Sequence, residues 1–253
     1  DVTWKWVRMS KSKGNVVTPD EAVEQFGADA LRLFELFVAP YDADVQWDSE
    51  GMSGTARFLG RALRFVSEFA DGFDRDWRSK IVAKGGGVSG DVRRATHQAI
   101  LKATEDIDRF AFNTYVSGLM IYLNRLMELK RSATGHEDEA TAFSEAVECL
   151  ALLLAPGAPH VADEMWEGLG LEGFTLDARW PVADPELARE DTVTIAVQVN
   201  GKLRDTLGMP ADADRAAMEA AALASEKIRT QLDGKTVRKV IVVPGKLVNV
   251  VAN

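Results

Sequence analysis

Phe112, Tyr115, Val116, Leu119, Leu123, Leu126 and Met127 recur at three- and four-residue intervals, and no other feature of the chain restricts its fold as strongly. Residues so spaced share one face of an α-helix, and a helix with one apolar stripe must bury it against another element. The same period places Phe58, Ala62, Phe65 and Phe69 on one face of a segment starting near residue 50. Arg57, Arg61 and Arg64 of that segment fall about 100 degrees round the helix, as a basic flank. A further helix is expected over about 91–109. Phe143, Val147, Leu150 and Leu154 make another band before "APGAPH" breaks it, and Val161, Met165 and Trp166 mark a last short helix. Such helices pack economically as an antiparallel bundle, with the Met and aromatic bands as core.

Different signals flank this region. Thr18, Pro19, Glu21 and Gly27 read as cap, first helical position, capping-box acid and stop of a short helix. "DALRLFELFVA" follows as a second helix ending near Pro40, then "YDADVQWDSEG" reads as irregular. The glycines of "RSKIVAKGGGVSGD" predict a mobile loop, because each costs backbone entropy in a helix. Prolines and acids in "ARWPVADPELARED" mark a boundary. Beyond it, "TVTIAVQVNGKLRDTLGM" predicts a hairpin turning at Asn200-Gly201, with Val193, Ile195, Val197 and Val199 on one face. An alanine-rich helix at about 213–225 and a second hairpin turning at Pro244-Gly245 complete a small α+β module. The expected fold class is therefore mainly α, divided as residues 1–49, a helical bundle over 50–184, a linker over 185–192 and the α+β module over 193–253.

Charge limits the functions available. The chain carries 30 Lys and Arg against 39 Asp and Glu, a net charge of -9, which argues against a nonspecific polycation that coats nucleic acid. Residues 1–19 and 193–253 each sum to +3, leaving -15 for the middle, so any polyanion should be gripped at the ends and along particular edges. The single cysteine, Cys149, lies in the apolar run "VECLALLLAP", where a buried inert thiol is expected. No run approaches the ~18 apolar residues of a membrane span and no secretory signal opens the chain, so no membrane partner and a cytoplasmic setting are the expectations.

Most catalytic chemistries find no support. His97, His136 and His160 have no cysteine or second histidine at metal-ligand spacing, so no metal site is expected. The motifs GxxxxGK[ST], GxGxxG and GxSxG are absent. Trp4 and Trp6 alternate as in an edge strand just before the basic stretch "RMSKSKGN". Lysines in a glycine-containing loop after a strand suit phosphate oxygens as charge develops in phosphoryl or nucleotidyl transfer; an ordinary solvated loop is the alternative.

The order of residues is more specific than their composition. "RMSKSKGNVVTPDEAVEQFGADALRLFELF" resembles the KMSKS signature of class I aminoacyl-tRNA synthetases with its stem-contact helices. Arg8 replaces the first lysine, and Met9, Ser10, Lys11 and Ser12 match the other positions. "APYDADVQWDSEGMSGTARFLGRALRF" and "LLLAPGAPHVADEMWEGLG" resemble the anticodon-binding-type bundle of leucyl-tRNA synthetases. "VQVNGKLRDTLGMPADAD" and "VVPGKLVNVV" resemble the C-terminal domain of the bacterial leucyl enzymes.

The resemblance implies the C-terminal portion of a longer leucine-tRNA ligase, inactive in isolation because a nucleotide-binding catalytic core and an editing domain would precede it. The parent would be a monomer using ATP and Mg2+, with no cofactor intrinsic to this portion. It would join leucine to the terminal adenosine of leucine-accepting tRNA through leucyl-adenylate. Lys11 would contact the ATP phosphates, with Arg8, Ser10 and Ser12 positioning the loop. The family also implies tRNA recognition through elbow and discriminator-side architecture more than through anticodon bases. Candidate phosphate contacts are Arg57, Arg61 and Arg64, then Arg93 and Arg94 on the next helix, and Lys202, Arg204, Lys235, Arg238, Lys239 and Lys246 in the final module. The competing reading is a noncatalytic structural or protein-interaction module with little autonomous RNA affinity.

Overall fold

A computed structural model describes residues 7–40, 42–45, 47, 49–81, 85–189, 192–211 and 213–253; Trp4 and Trp6 lie outside them. The described chain is mainly α, with a small mixed sheet near its end, and divides into two units, 1–188 and 189–253.

The first unit opens with α1 (Pro19–Phe26), which has the expected capping box: Glu21 N donates to Thr18 Oγ1, and Thr18 N to Glu21 Oε2. Next come α2 (Ala28–Phe37), α3 (Ser49–Ser67), the single turn α4 (Trp77–Lys80), α5 (Gly87–Asp108), α6 (Phe112–Ser132), α7 (Glu137–Leu154) and α8 (Pro159–Gly168). The glycine stretch is less of a loop than expected. Gly87 and Gly90 lie in the first turn of α5, and a Cβ on Gly90 would sit 2.3 Å from the carbonyl oxygen of Gly85. The glycine there serves close packing.

Helix α7 is the axis of the bundle. The sequence pattern predicts one apolar band on it, yet every residue from Thr141 to Leu154 is buried. A helix surrounded by others buries its polar positions too, and a buried charge requires a partner. Glu148 accepts from Trp77 Nε1 at 2.8 Å and from the Arg78 guanidinium. Ser144 Oγ accepts from Asp74 N at 3.1 Å. Burial pushes the Cys149 thiol well above its ordinary value, which keeps it a packing group.

The bundle extends further along the chain than its composition suggests. Trp180 Nε1 donates to Thr104 Oγ1 at 2.8 Å and Gln98 Nε2 to the Ala188 carbonyl at 2.9 Å. A short helix α9 (Pro185–Ala188) packs on α5. Residues 185–188, expected as linker, are thus part of the first unit; tertiary hydrogen bonds override their proline-rich, acidic composition.

The second unit has β1 (Thr192–Val199), β2 (Lys202–Pro210), α10 (Arg215–Ala224), α11 (Glu226–Leu232), β3 (Val237–Val243) and β4 (Leu247–Ala252). Asn200 and Gly201 both take positive φ, 51° and 77°, as a two-residue hairpin turn requires. The sheet order is β2-β1-β4-β3: two antiparallel hairpins joined by parallel pairing of β1 with β4. Ile195, Val197, Val199, Val242, Val248 and Val250 form one core with Met218, Ala222 and Ile228 of the helices. Each edge strand skips one residue in its register, Arg204 in β2 and Arg238 in β3. Such bulges break the ladder that would otherwise template pairing with another chain.

Asp205 ties the sheet to α11. Its carboxylate accepts from Ser225 Oγ at 2.6 Å and Lys227 Nζ at 2.9 Å, and these donors hold it below its ordinary value of 3.8. A depressed carboxyl contributes stability above its unfolded value that is lost as pH falls through the folded value. Asp205→Asn is therefore expected to destabilise the chain at neutral pH, with the deficit shrinking below pH 3.8. Chemical denaturation across that range checks this; a deficit independent of pH contradicts it.

Candidate functional site

The basic stretch at the start is built by its own backbone. Lys11–Lys13 form one 3-10 turn in which Lys13 N donates to Ser10 O and Gly14 N to Lys11 O, with Gly14 at φ 65°. Asn15 closes the loop: its Oδ1 accepts from Ser10 N at 2.8 Å and its Nδ2 donates to Arg8 O at 3.4 Å. Ser10 and Ser12 pair through their hydroxyls at 2.9 Å. The side chains of Arg8, Lys11 and Lys13 are exposed, and none bonds to another described residue. Lys11 and Lys13 thus stand on a braced turn, with Arg8 just before it in the chain. Val7, Arg8, Met9 and Asn15 share a groove of about 810 Å³ with Phe34 and Glu35 of α2, with Val38 just past that helix, and with Asp44, Val45 and Trp47.

Arg57, Arg61 and Arg64 are exposed along α3, while Phe58, Ala62 and Phe65 of the same helix are buried. The Arg61 guanidinium bonds to Asn124 Oδ1 on α6 and lies 3.7 Å from Met127 Sδ, so the edge is oriented by its neighbour.

Arg93 is different. It is buried, and its Nε donates to Glu145 Oε2 of α7 at 3.0 Å. His97, buried beside it, faces Glu145 Oε1 through Nε2 at 3.3 Å. Its Nδ1 accepts from Asp184 N at 3.0 Å. Arg93 therefore serves the core and is withdrawn as an RNA contact, because the central helix needs a counter-charge. Arg94 is half-buried and pairs with Asp91 Oδ1 of the same helix at 2.5 Å.

All six basic candidates of the second unit are exposed, but they do not form one cluster. The Asn200-Gly201 turn is sewn to the end of β4: Asn200 Nδ2 donates to Ala252 O at 2.8 Å and Gly201 N to Asn249 Oδ1 at 3.0 Å. Arg238 Nε donates to Asn253 Oδ1 at 2.8 Å, and Thr236 and Asn253 pair through their backbones. Lys202, Arg204, Lys235, Arg238 and Lys239 thereby gather at one end of the sheet. Lys246 sits at the other, where its carbonyl accepts from Ala196 N. The face away from the helices exposes Ile241 and Val243 in alternation with Lys239 on β3.

The family described as the anticodon-binding domain of tRNA ligase matches residues 91–220, just over half of the sequence. The chain belongs to that family. The family described as tRNA synthetases class I (I, L, M and V) matches residues 5–48, which include the signature loop and α2. The chain is 44% identical over 247 residues to a leucine-tRNA ligase of Alkalilimnicola ehrlichii, covering 97% of this chain and 28% of the relative. It is 42% identical over 249 residues to one of Syntrophobacter fumaroxidans, covering 96% and 30%. Among solved structures it is similar to the Agrobacterium radiobacter K84 agnB2 LeuRS in a ternary complex with tRNA and LeuAMS, with a TM-score of 0.78, 29% identity and coverage of 97% and 31%. The chain thus spans about three tenths of the length of these relatives.

Within this anticodon-binding framework, several residues matter that the sequence patterns passed over. In the sequence Asn15 stands out only as the end of "RMSKSKGN", and Asn124 as a polar interruption in α6. Asp29 and Arg32 looked like ordinary charges on α2, yet both reach across to the corner between α7 and α8. Their one sequence signal is a three-residue spacing of charges on an otherwise apolar helix. Among the described residues, no group of three or more His, Cys, Asp or Glu is placed to hold a metal, and no helix is long and apolar enough to cross a membrane.

Proposed function

We propose that this chain is the signature-loop and tRNA-docking portion of a leucine-tRNA ligase. The supporting observation is that the likeness to leucine-tRNA ligases runs through the signature loop, the bundle and the sheet module together, over 97% of the chain. In the whole enzyme the leucine carboxylate attacks the α-phosphorus of ATP and pyrophosphate leaves; a ribose hydroxyl of the tRNA's terminal adenosine then attacks the leucyl carbonyl carbon of the adenylate, and AMP leaves. Magnesium accompanies ATP as substrate. The Lys11 ammonium meets the phosphates as charge accumulates on the leaving pyrophosphate; Arg8 supplies a second cation, and Ser10 and Ser12 brace the turn. Arg57, Arg61 and Arg64 grip the RNA backbone without reading sequence. The basic end of the sheet module docks the outer corner of leucine-accepting tRNA, with Lys246 apart from it. The remaining partners are the preceding nucleotide-binding and editing domains of a cytoplasmic, monomeric enzyme.

The experiment is filter binding of leucine-accepting tRNA to the intact ligase carrying Arg57→Ala and Arg61→Ala. Affinity is expected to fall about tenfold at low salt, and the slope of log affinity against log salt to shrink by roughly 2, one per lost phosphate contact. A folded variant with unchanged affinity and slope would instead favour a structural brace with little RNA affinity of its own.

A further inference from the structure

We infer that Asp29 and Arg32 are positioning residues that lock the signature loop to the bundle, so that the placement of Lys11 is set by the corner between α7 and α8. The inference rests on the signature-loop reading above. The two side chains stand three residues apart on α2, one turn of helix, and engage the ends of two other helices. Asp29 is buried; its Oδ2 accepts from Val161 N at 2.7 Å in the first turn of α8, and its Oδ1 pairs with His160 Nδ1 at 2.8 Å. Arg32 donates from Nε to Gly157 O at 3.2 Å and from Nη2 to Pro156 O at 3.0 Å, just beyond the end of α7. A carboxylate thus meets the positive end of α8 and a guanidinium the negative end of α7, so each charge complements the helix terminus it touches.

The corner is packed as well as bonded. A Cβ on Gly157 would lie 2.6 Å from Leu33 Cδ2, and Thr55 Oγ1 of α3 donates to Ala30 O at 2.9 Å. The same helix α2 forms a wall of the groove lined by Arg8, Met9 and Asn15 through Phe34 and Glu35, with Val38 just past its end. Helix α2 therefore borders the groove lined by Arg8, Met9 and Asn15 and also reaches the corner of the bundle. A shift of α2 moves the loop without altering any group that would touch ATP. Proximity and aim of a catalytic charge are sensitive to such displacements.

The test is a double-mutant cycle in the intact ligase, read as single-turnover leucyl-adenylate formation at saturating leucine and ATP. Arg32 is exposed, so Arg32→Ala should fold; Asp29→Ala and Asp29→Asn are compared with it after a thermal-unfolding check. Arg32→Ala is expected to slow adenylate formation about tenfold with little change in the KM for ATP. The same substitution in a Lys11→Ala background should cost less than twofold, because the group it positions is gone. Asp29→Asn, which keeps an acceptor for Val161 N and a partner for His160, should retain more activity than Asp29→Ala. Equal losses from Arg32→Ala in both backgrounds, or no loss in either, overturn the inference. If Lys11→Ala itself leaves the rate unchanged, the signature-loop reading fails instead.

Discussion

Replacing Lys11 with alanine in the intact ligase is expected to slow single-turnover leucyl-adenylate formation by about 10²-fold, the scale for removing one preorganised charge contact made in the transition state. Lys11 is exposed on a turn braced by Asn15 and has no bond to another described residue. Its charge is therefore held ready without a partner that must be displaced. Such a contact should lower turnover far more than it raises the KM for ATP. Arg8, with its carbonyl tied to Asn15, is expected to supply a second charge and to limit the loss. Rapid-quench measurement of adenylate on the enzyme provides the comparison. A rate within twofold of the parent would remove Lys11 from the chemistry.

Arg93→Ala is expected to have the largest effect on stability, about 3–5 kcal/mol, the cost of leaving one partner of a buried pair uncompensated. Arg93 and Glu145 side chains are 8% and 6% exposed, and His97 closes the same pocket against Asp184. Replacing Glu145 with leucine in the Arg93→Ala background should recover part of the loss, since the orphaned carboxylate is then absent. Chemical denaturation of the two variants gives the answer, with tRNA affinity measured on the folded protein. Preserved stability combined with weakened RNA binding would return Arg93 to the RNA-contact group.

These two residues show what the sequence made legible and what it did not. The loop around Lys11, the capping box of Thr18 and Glu21 and the hairpin turn at Asn200-Gly201 depend on neighbours a few residues away, so local chemistry was enough to read them. Arg93 depends on Glu145, which lies on another helix. A periodic pattern identifies a helix but does not say how many of its faces are covered; the sequence of α7 shows one apolar band, and its acids at positions 145 and 148 are nonetheless buried. The parallel pairing of β1 with β4 joins segments about fifty residues apart, such as Val199 and Val250, and neither hairpin signal encodes it. That pairing determines which lysines and arginines share an end of the sheet, and the hairpin signals alone leave the place of Lys246 open. The same limit applies to Asp29 and Arg32, whose roles exist only once α2 meets the α7–α8 corner.

The central claim is that this chain couples tRNA docking to a leucine-activating loop, and deletion of residues 193–253 from the intact ligase tests it most directly. The second unit has its own core of Ile195, Val197, Val242, Val248 and Val250 packed under α10 and α11, so removing it should leave the first unit's core in place. Leucine activation, followed without tRNA, and tRNA charging are measured side by side on the same preparation. The account predicts that adenylate formation persists within about threefold while charging or tRNA affinity falls at least tenfold. Equal retention of both activities would contradict it.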